Sequence, residues 1–417
     1  LDRFTCGRKN STARCEQYLK GLFHECKSNI ERMQERIPES DYQQLQYFVS
    51  ESDWDAQGVM MDVARRTQDS LSGQLGEQGL LLDECGWEKS GKKSIGVARQ
   101  YIGGVGKVSN GQVGVFAALT RGELVGLAHA RLYLPQEWTD DAARCQSAGA
   151  AALAGQYKTK PELAAELVAE LAGQGVCGEW VGGDALYGNS PTLRQALVGM
   201  RQAFVLDITS TRKVHLSDPA LPPYGGAGPV SIEGVGCLLA DEHWQQITHR
   251  RGAKGLLVRQ AALVKVWLAK SGSEPASGPF WLLVSRETDG TQVKYSLCHQ
   301  PDGLVDVEVA LGRQMQRYFV ERAFQDVKQQ LGMHQYQVRS YKAWCHHIAL
   351  TMMAMHFMLQ TRIEMHDELP LLSCSDVKLV LARTLLNKLH TSQGVWDAIE
   401  NRHRLRQQDL SRRRHHK

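Results

Sequence analysis

Asp83, Asp184 and Glu321 lie far apart in the chain, yet their types and settings fit one chemistry. Displacement at a phosphodiester by water or by a 3′ hydroxyl develops charge on both the attacking and the leaving oxygen. Two divalent ions about 3.5 to 4 Å apart can neutralise it. Mg²⁺ takes a few carboxylate oxygens and fills the rest of its shell with water and substrate phosphate, so three acids gathered by a fold suffice. Asp83 follows the apolar run Leu80-Leu81-Leu82, and Asp184 follows Trp180-Val181-Gly182-Gly183, so both stand at strand ends. Around Glu321 the pattern is helical. At roughly 100° per residue, Arg317, Glu321 and Lys328 share one face within about 40°. Val320, Ala323, Phe324, Val327 and Leu331 form an adjoining apolar stripe, which would dock the helix on a sheet and turn Glu321 toward the two aspartates. Taken singly, each residue has a plainer reading. Asp83 could be a turn residue and Asp184 a loop cap, while Arg317 and Glu321 could be a surface i,i+4 pair worth a few tenths of a kcal/mol, with Lys328 solvated. It is their conjunction that points to metal-dependent phosphodiester chemistry.

The elements that must position these residues can be read from periodicity. Ala13 to Ile37 carries apolar residues at helical spacing and ends at Pro38, which predicts one amphipathic helix. Ser40 with Gln43 resembles a capping box opening a second helix, and Ser52 to Arg66 predicts a third with Trp54, Val59, Met60 and Val63 inward. From Gly79 the period changes. Strands are expected at Leu80–Leu82, Gln112–Leu119 and Leu124–Leu134, followed by a helix capped at Thr159 and running to about Gly173. A strand at Trp180–Gly183, a helix from Ser190-Pro191 and a strand at Ala203–Ile208 complete the order β-β-β-α-β-α-β. With an acid at the end of the first strand and another just after the fourth, this is the arrangement of a ribonuclease-H-like nuclease core. Between Ile208 and about Val305, short strands such as Leu256–Val266 and Phe280–Val284 alternate with Gly, Pro and Ser clusters, which predicts a β-rich insertion. Helical periodicity returns over Leu311–Leu331 and stops at Gly332. The expected fold is therefore α/β. It has a helical N-terminal domain over 1–75, a core over 76–208 plus 306–372, a β-rich insertion over 209–305, and a basic helical segment over 373–417.

Composition narrows the function classes. A chain of 417 residues suggests two or three domains. With 42% hydrophobic and 23% charged residues it should fold rather than remain disordered. The first twenty-five residues are broken by Arg and Lys and offer no apolar signal-peptide core. Ile348–Leu359 is too short to cross a bilayer and predicts a buried helix, so no membrane role is expected. Ten cysteines without a Cys-x-x-Cys pair disfavour a zinc site or a disulfide framework, and Cys345-His346-His347 reads as packing plus one surface histidine. Gly103-Gly104-Val105-Gly106-Lys107 lacks the spacing and the hydroxyl residue of a phosphate-binding P-loop, so no nucleotide cofactor is expected. The net charge is +4, but residues 401–417 carry seven Lys or Arg against Asp409 alone. Arg412, Arg413 and Arg414 within that run suit DNA phosphates, and a solvated tail is the plainer alternative. The same choice holds for Arg250, Arg251 and Lys254 in a glycine-bearing loop of the insertion.

Leu81-Leu82-Asp83-Glu84, Lys92-Lys93-Ser94-Ile95-Gly96-Val97-Ala98-Arg99-Gln100-Tyr101, Arg131-Leu132-Tyr133-Leu134-Pro135 with Trp138, Gly183-Asp184-Ala185-Leu186-Tyr187-Gly188, and Val320-Glu321-Arg322-Ala323-Phe324-Gln325-Asp326-Val327-Lys328 together resemble bacterial insertion-sequence transposases of the DDE type. The resemblance runs from about Tyr18 to His356. More narrowly it is to the cut-and-paste branch with a β-strand insertion and a Tyr-x2-Arg-x3-Glu-x6-Lys signature. Arg317, Glu321 and Lys328 match that spacing, whereas Gln314 stands where the signature has Tyr. The resemblance implies that Asp83, Asp184 and Glu321 bind two Mg²⁺ or Mn²⁺ ions, and that Arg317 and Lys328 steady the phosphates of the cleaved end. Some relatives flip a base onto an aromatic residue of the insertion, which makes Trp244, and after it Trp267 and Trp281, candidates. The implied partners are double-stranded DNA, both element ends and target, and further copies of the chain in a homodimer or larger synaptic assembly. The implied location is the bacterial cytoplasm, at the nucleoid. The competing reading is a catalytically inactive DNA-binding protein of transposase ancestry.

Overall fold

The computed structural model describes residues 2–6, 9–24, 28–219, 228–252, 255–272, 274–385 and 391–415. Four helices open the chain: α1 (Thr12–Phe23), α2 (Ile30–Arg36), α3 (Tyr42–Ser50) and α4 (Ala56–Ser72). The single helix expected over Ala13–Ile37 is in fact two. His24 turns extended after α1, and the Asn29 side chain accepts from the Arg32 N–H to start α2. Folding α2 back brings Met33 against Gly21, where a side chain at Gly21 would collide with it. The apolar spacing persists across the break because both helices bury the same face. The next cap also differs from the expected one. Asp41, not Ser40, accepts from the Gln44 N–H, while the Ser40 hydroxyl donates back to the Ile37 carbonyl. Helix α4 starts at Ala56, capped by Asp55, rather than at Ser52, but the inward residues are as expected: Val59, Met60 and Val63 in it and Trp54 just before it are all buried.

The twelve-stranded sheet begins with β1 (Gln78–Glu88), β2 (Ala98–Ile102), β3 (Lys107–Arg121) and β4 (Leu124–Tyr133). Helix α5 (Lys160–Gly173) leads to β5 (Trp180–Gly183), and α6 (Pro191–Gly199) leads to β6 (Ala203–Asp207). Along the sheet the order is β4-β3-β1-β5-β6, with β1, β5 and β6 parallel and β3 antiparallel to both its neighbours. Strand β2 is not among the expected elements. It pairs with the N-terminal part of β3 and extends that hairpin beyond the core. Its alternating exposed and buried residues, Arg99 out and Ala98 and Ile102 in, span only five positions, too few to stand out from the surrounding Gly and Lys.

The segment predicted as an insertion folds as β7 (Lys213–His215), β8 (Val230–Ser231), α7 (Ile232–Leu238), β9 (Gln245–Gly252), β10 (Gly255–Leu268), β11 (Ser277–Glu287) and β12 (Lys294–His299). It continues the same sheet, because β12 pairs antiparallel with β6 from Ser296 opposite Asp207 to His299 opposite Phe204.

Returning to the core, α8 (Val307–Gln316) and α9 (Tyr318–Leu331) replace the one helix expected over Leu311–Leu331, meeting at Arg317. Gly332 closes α9 in the left-handed conformation, which a Cβ would disfavour. The apolar stripe of α9 packs on the sheet, with the Phe324 ring edge-on to Phe116 of β3 at 5.3 Å. Helix α10 (Tyr341–Glu364) runs through the middle of one hydrophobic core, followed by α11 (Cys374–Thr384) and α12 (Ser392–His415). Both His346 and His347 are buried, which corrects the expectation of a surface histidine. His347 lies between the Tyr18 hydroxyl at 2.8 Å and the Met333 carbonyl at 2.9 Å, and burial lowers its pKa to about 4. Among the described residues no helix is long and apolar enough to cross a membrane.

Candidate active site

Strand register lines up three carboxylates. Leu82 of β1 lies opposite Gly183 of β5, and Gly183 lies opposite Leu206 of β6. The next residue along each chain segment is an aspartate, so Asp83, Asp184 and Asp207 stand at one level. Asp184 follows the last residue of β5 and Asp207 ends β6, whereas Asp83 sits in mid-strand opposite Phe116 of β3, because β1 runs on to Glu88 rather than ending at Leu82 as expected. Asp184 also caps a single helical turn, Ala185–Gly188, its side chain accepting from the Leu186 N–H at 2.9 Å. Gly188 in that turn presses against β6: a Cβ there would stand 1.8 Å from the Asp207 carbonyl oxygen. This contact fixes the separation of the two strand ends.

Asp83, Glu84 and Asp184 each offer a carboxylate oxygen within 4.8 Å of the others. Glu84 is anchored from outside the sheet by the Lys160 ammonium at 3.0 Å and by the Tyr187 hydroxyl at 3.3 Å. Burial, reinforced by the charges of Asp184 and Glu84, raises the Asp83 carboxyl to about 7, against a backbone bond from the Glu84 N–H that stabilises the anion. Acids brought this close repel one another unless a cation joins them, and an all-oxygen donor set of this kind suits a hard divalent ion. The donor chemistry therefore fits Mg²⁺ or Mn²⁺.

Arg317 lies at the rim of this group. Its Nε is 3.1 Å from Asp207 Oδ2 and its Nη1 is 3.1 Å from Glu321 Oε1. Burial opposes its charge, but Asp207, Glu321, Asp83 and Asp184 together raise its pKa above the usual arginine value. Glu321 itself is 56% exposed and is held by Arg317, outside the three-acid cluster. Lys328, on the same helix, donates to the Gly86 carbonyl at 3.2 Å, three residues beyond Asp83 on β1. Sequence reasoning missed Glu84 and Asp207 as members of this neighbourhood. For Asp207 a signal was present: Phe204-Val205-Leu206-Asp207 repeats the apolar-run-then-Asp form of the other two strands.

A family model described as DDE superfamily endonuclease matches residues 3–256, more than half of the chain. The chain belongs to that family. The matched stretch of this DDE-family chain carries Asp83 and Asp184, and Glu321 lies beyond it. The chain is also similar to the probable transposase for insertion sequence element IS701 of Microchaete diplosiphon, 32% identical over 184 residues. That match spans 41% of this chain and 43% of the relative, less than half of each. Among solved structures, the cryo-EM structure of the piggyBac transposase synaptic complex with hairpin DNA aligns over 92% of this chain and 73% of its own, with a TM-score of 0.43 and 10% identity.

The remaining candidates of the DDE-family chain are scattered over its insertion and tail. Trp244 is half-buried beneath the Arg286 guanidinium, 3.8 Å from the ring centroid. Trp267 and Trp281 are also half-buried, and the Trp281 indole N–H donates to the Gly303 carbonyl at 3.1 Å. Lys254 lies outside the described residues, as do the side chains of Arg250, Arg251, Arg412, Arg413 and Arg414.

Proposed function

We propose that this chain is a DDE transposase that cuts DNA at the terminal inverted repeats of a mobile element and joins the freed 3′ hydroxyl ends to target DNA. The convergence of Asp83 and Asp184 at one level of adjacent parallel strands, beside a helix bearing Arg317, Glu321 and Lys328, carries the reading. Family membership and the similarity to an insertion-sequence transposase support it. The strand order β4-β3-β1-β5-β6 supports a ribonuclease-H-like core. In this reading residues 76–208 and 306–372 form the core, 209–305 the β-rich insertion, 1–75 a helical DNA-binding module and 373–417 a basic helical segment.

Asp83, Asp184 and Glu321, with Glu84 as a further oxygen donor, would hold two Mg²⁺ or Mn²⁺ ions. Those ions would neutralise charge on the attacking and leaving oxygens. Asp83 must lose its proton to become a donor, and Arg317 must loosen its hold on Glu321 for that carboxylate to turn inward. Arg317 and Lys328 then face the scissile phosphates. Partners in this reading are double-stranded DNA and further copies of the chain in a synaptic assembly.

Cleavage of a labelled duplex carrying the element's own end, with Mg²⁺ or with EDTA, compared between wild type and Glu321→Ala, tests it. Metal-dependent cutting at the end, reduced at least about a hundredfold by the substitution (on the order of 2.7 kcal/mol in the barrier), is expected. Tight binding to that end without cutting, in both proteins and with either ion, would leave a DNA-binding protein on a transposase scaffold.

A further inference from the structure

Asp207 stands level with Asp83 and Asp184 but is not free to join them. Both its oxygens are engaged: Oδ1 accepts from the Ser296 hydroxyl at 2.6 Å, and Oδ2 faces Arg317 Nε at 3.1 Å. Behind Ser296 runs a buried chain of side chains. Gln314 Nε2 donates to Ser296 Oγ at 2.8 Å, and Gln314 Oε1 accepts from the Ser285 hydroxyl at 2.6 Å. Ser285, Ser296 and Gln314 are all buried. Each of these side chains has a partner, and the order runs one way, from β11 through α8 and β12 to Asp207. A buried polar network that is satisfied throughout is rigid. Gln314 takes part in this network as both donor and acceptor.

On the other side, Arg317 is a permanently charged group within electrostatic reach of Asp83 and Asp184 as well as Glu321. With only the exposed Glu321 left to hold it, its guanidinium would settle on the two aspartates as their counter-ion, where it would compete with any metal. We infer that Asp207 is a positioning residue that, through Arg317, keeps the guanidinium at the rim of the Asp83–Asp184 pair and so leaves the pair open to a divalent ion. The inference rests on the proposal that these acids bind metal.

Titration of the metal-free, full-length protein with Mn²⁺, followed by the electron paramagnetic resonance signal of the free ion, reads this directly and needs no catalysis. Asp207→Asn should weaken Mn²⁺ binding roughly tenfold, in the range of coupling between residues in contact. Arg317→Gln should bind at least as tightly as wild type. In the Arg317→Gln background the Asp207→Asn change should shift binding by less than about twofold, because the competing cation is gone. Ser296→Ala, which keeps the Asp207 charge but removes one of its two anchors, should weaken binding in the same direction and by less, and provides the test if Asp207→Asn melts early. An Asp207→Asn effect of equal size in both backgrounds would overturn the inference in favour of direct ligation, and no effect in either would overturn it outright. Failure of the wild type to bind Mn²⁺ would instead remove the metal-site proposal itself.

Discussion

At the scale of single residues, Asp83 is held where its neutral form is favoured. Burial first, then Asp184 and Glu84, raise its carboxyl to about 7, against roughly 4 in an unfolded chain. Between those values the folded protein retains a proton that the unfolded chain has released. Its contribution therefore becomes less favourable as pH rises through the window from about 4 to 7, and the penalty is complete above it. In EDTA, Asp83→Asn should raise the melting temperature at pH 8 by several degrees, because each tenfold weakening of the carboxyl's acidity costs the folded anion about 1.4 kcal/mol. The gain should shrink toward zero at pH 4. Melts at pH 4, 6 and 8 check this, and an equal gain at all three would mean that the carboxyl is not perturbed. Asp83 and Asp184 were picked out in the sequence as acids that follow apolar runs, a pattern that marks the end of β5 before Asp184 but misplaces the end of β1, which continues past Asp83 to Glu88. Glu321 was singled out through helical spacing, and the structure holds it on Arg317, outside the three-acid cluster. Glu84 and Asp207 were not read, since their roles depend on which strands lie side by side, and pairing between strands distant in sequence leaves no local period.

At the scale of elements, the site depends on how closely a single helical turn can approach a strand. The turn Ala185–Gly188 lies on the end of β6, and the missing side chain of Gly188 makes room for the Asp207 carbonyl. Gly188→Ala must push the two apart, because backbone cannot rotate away as a long side chain can. Overpacking of this kind costs about 1 to 3 kcal/mol, and it would also move Asp184 away from Asp83. A lowered melting temperature together with weaker Mn²⁺ binding is expected from calorimetry and titration. Unchanged metal affinity in a folded variant would show that the spacing of β5 and β6 does not govern the site. Element type was readable wherever the period ran long, as in α4, α5, α9 and α10. Where two short helices bury one common face, as α1 and α2 do, the apolar pattern runs on through the break, and only the Ser28-Asn29 cap records it. The five residues of β2 offered too short a pattern to see.

At the scale of the whole molecule, the segment 209–305 extends the central sheet, and Ser296 within it bonds the strand-end Asp207. Composition marked that segment as different, but edge pairing between β6 and β12 is a long-range choice that composition does not record. The chain's other end is tied in by charge. Arg402 of α12 pairs with Glu35 of α2, whose side chain is 1% exposed and also accepts from Arg32 at 2.9 Å. Removing the whole tail would leave a buried carboxylate with one partner fewer, so loss of binding after truncation would be ambiguous. Replacing Arg412, Arg413 and Arg414 together by Ala keeps the clamp and removes only charge. If these cations neutralise phosphates, the slope of log K against log salt should fall by up to about three, at roughly 0.9 per phosphate contact. The melting temperature should stay where it is, because the clamp and the core are untouched. Fluorescence anisotropy with a labelled duplex from about 50 to 300 mM salt reads the slope. A slope equal to that of the wild type would mean that the tail stands clear of the DNA and that the phosphates are met by other parts of the molecule.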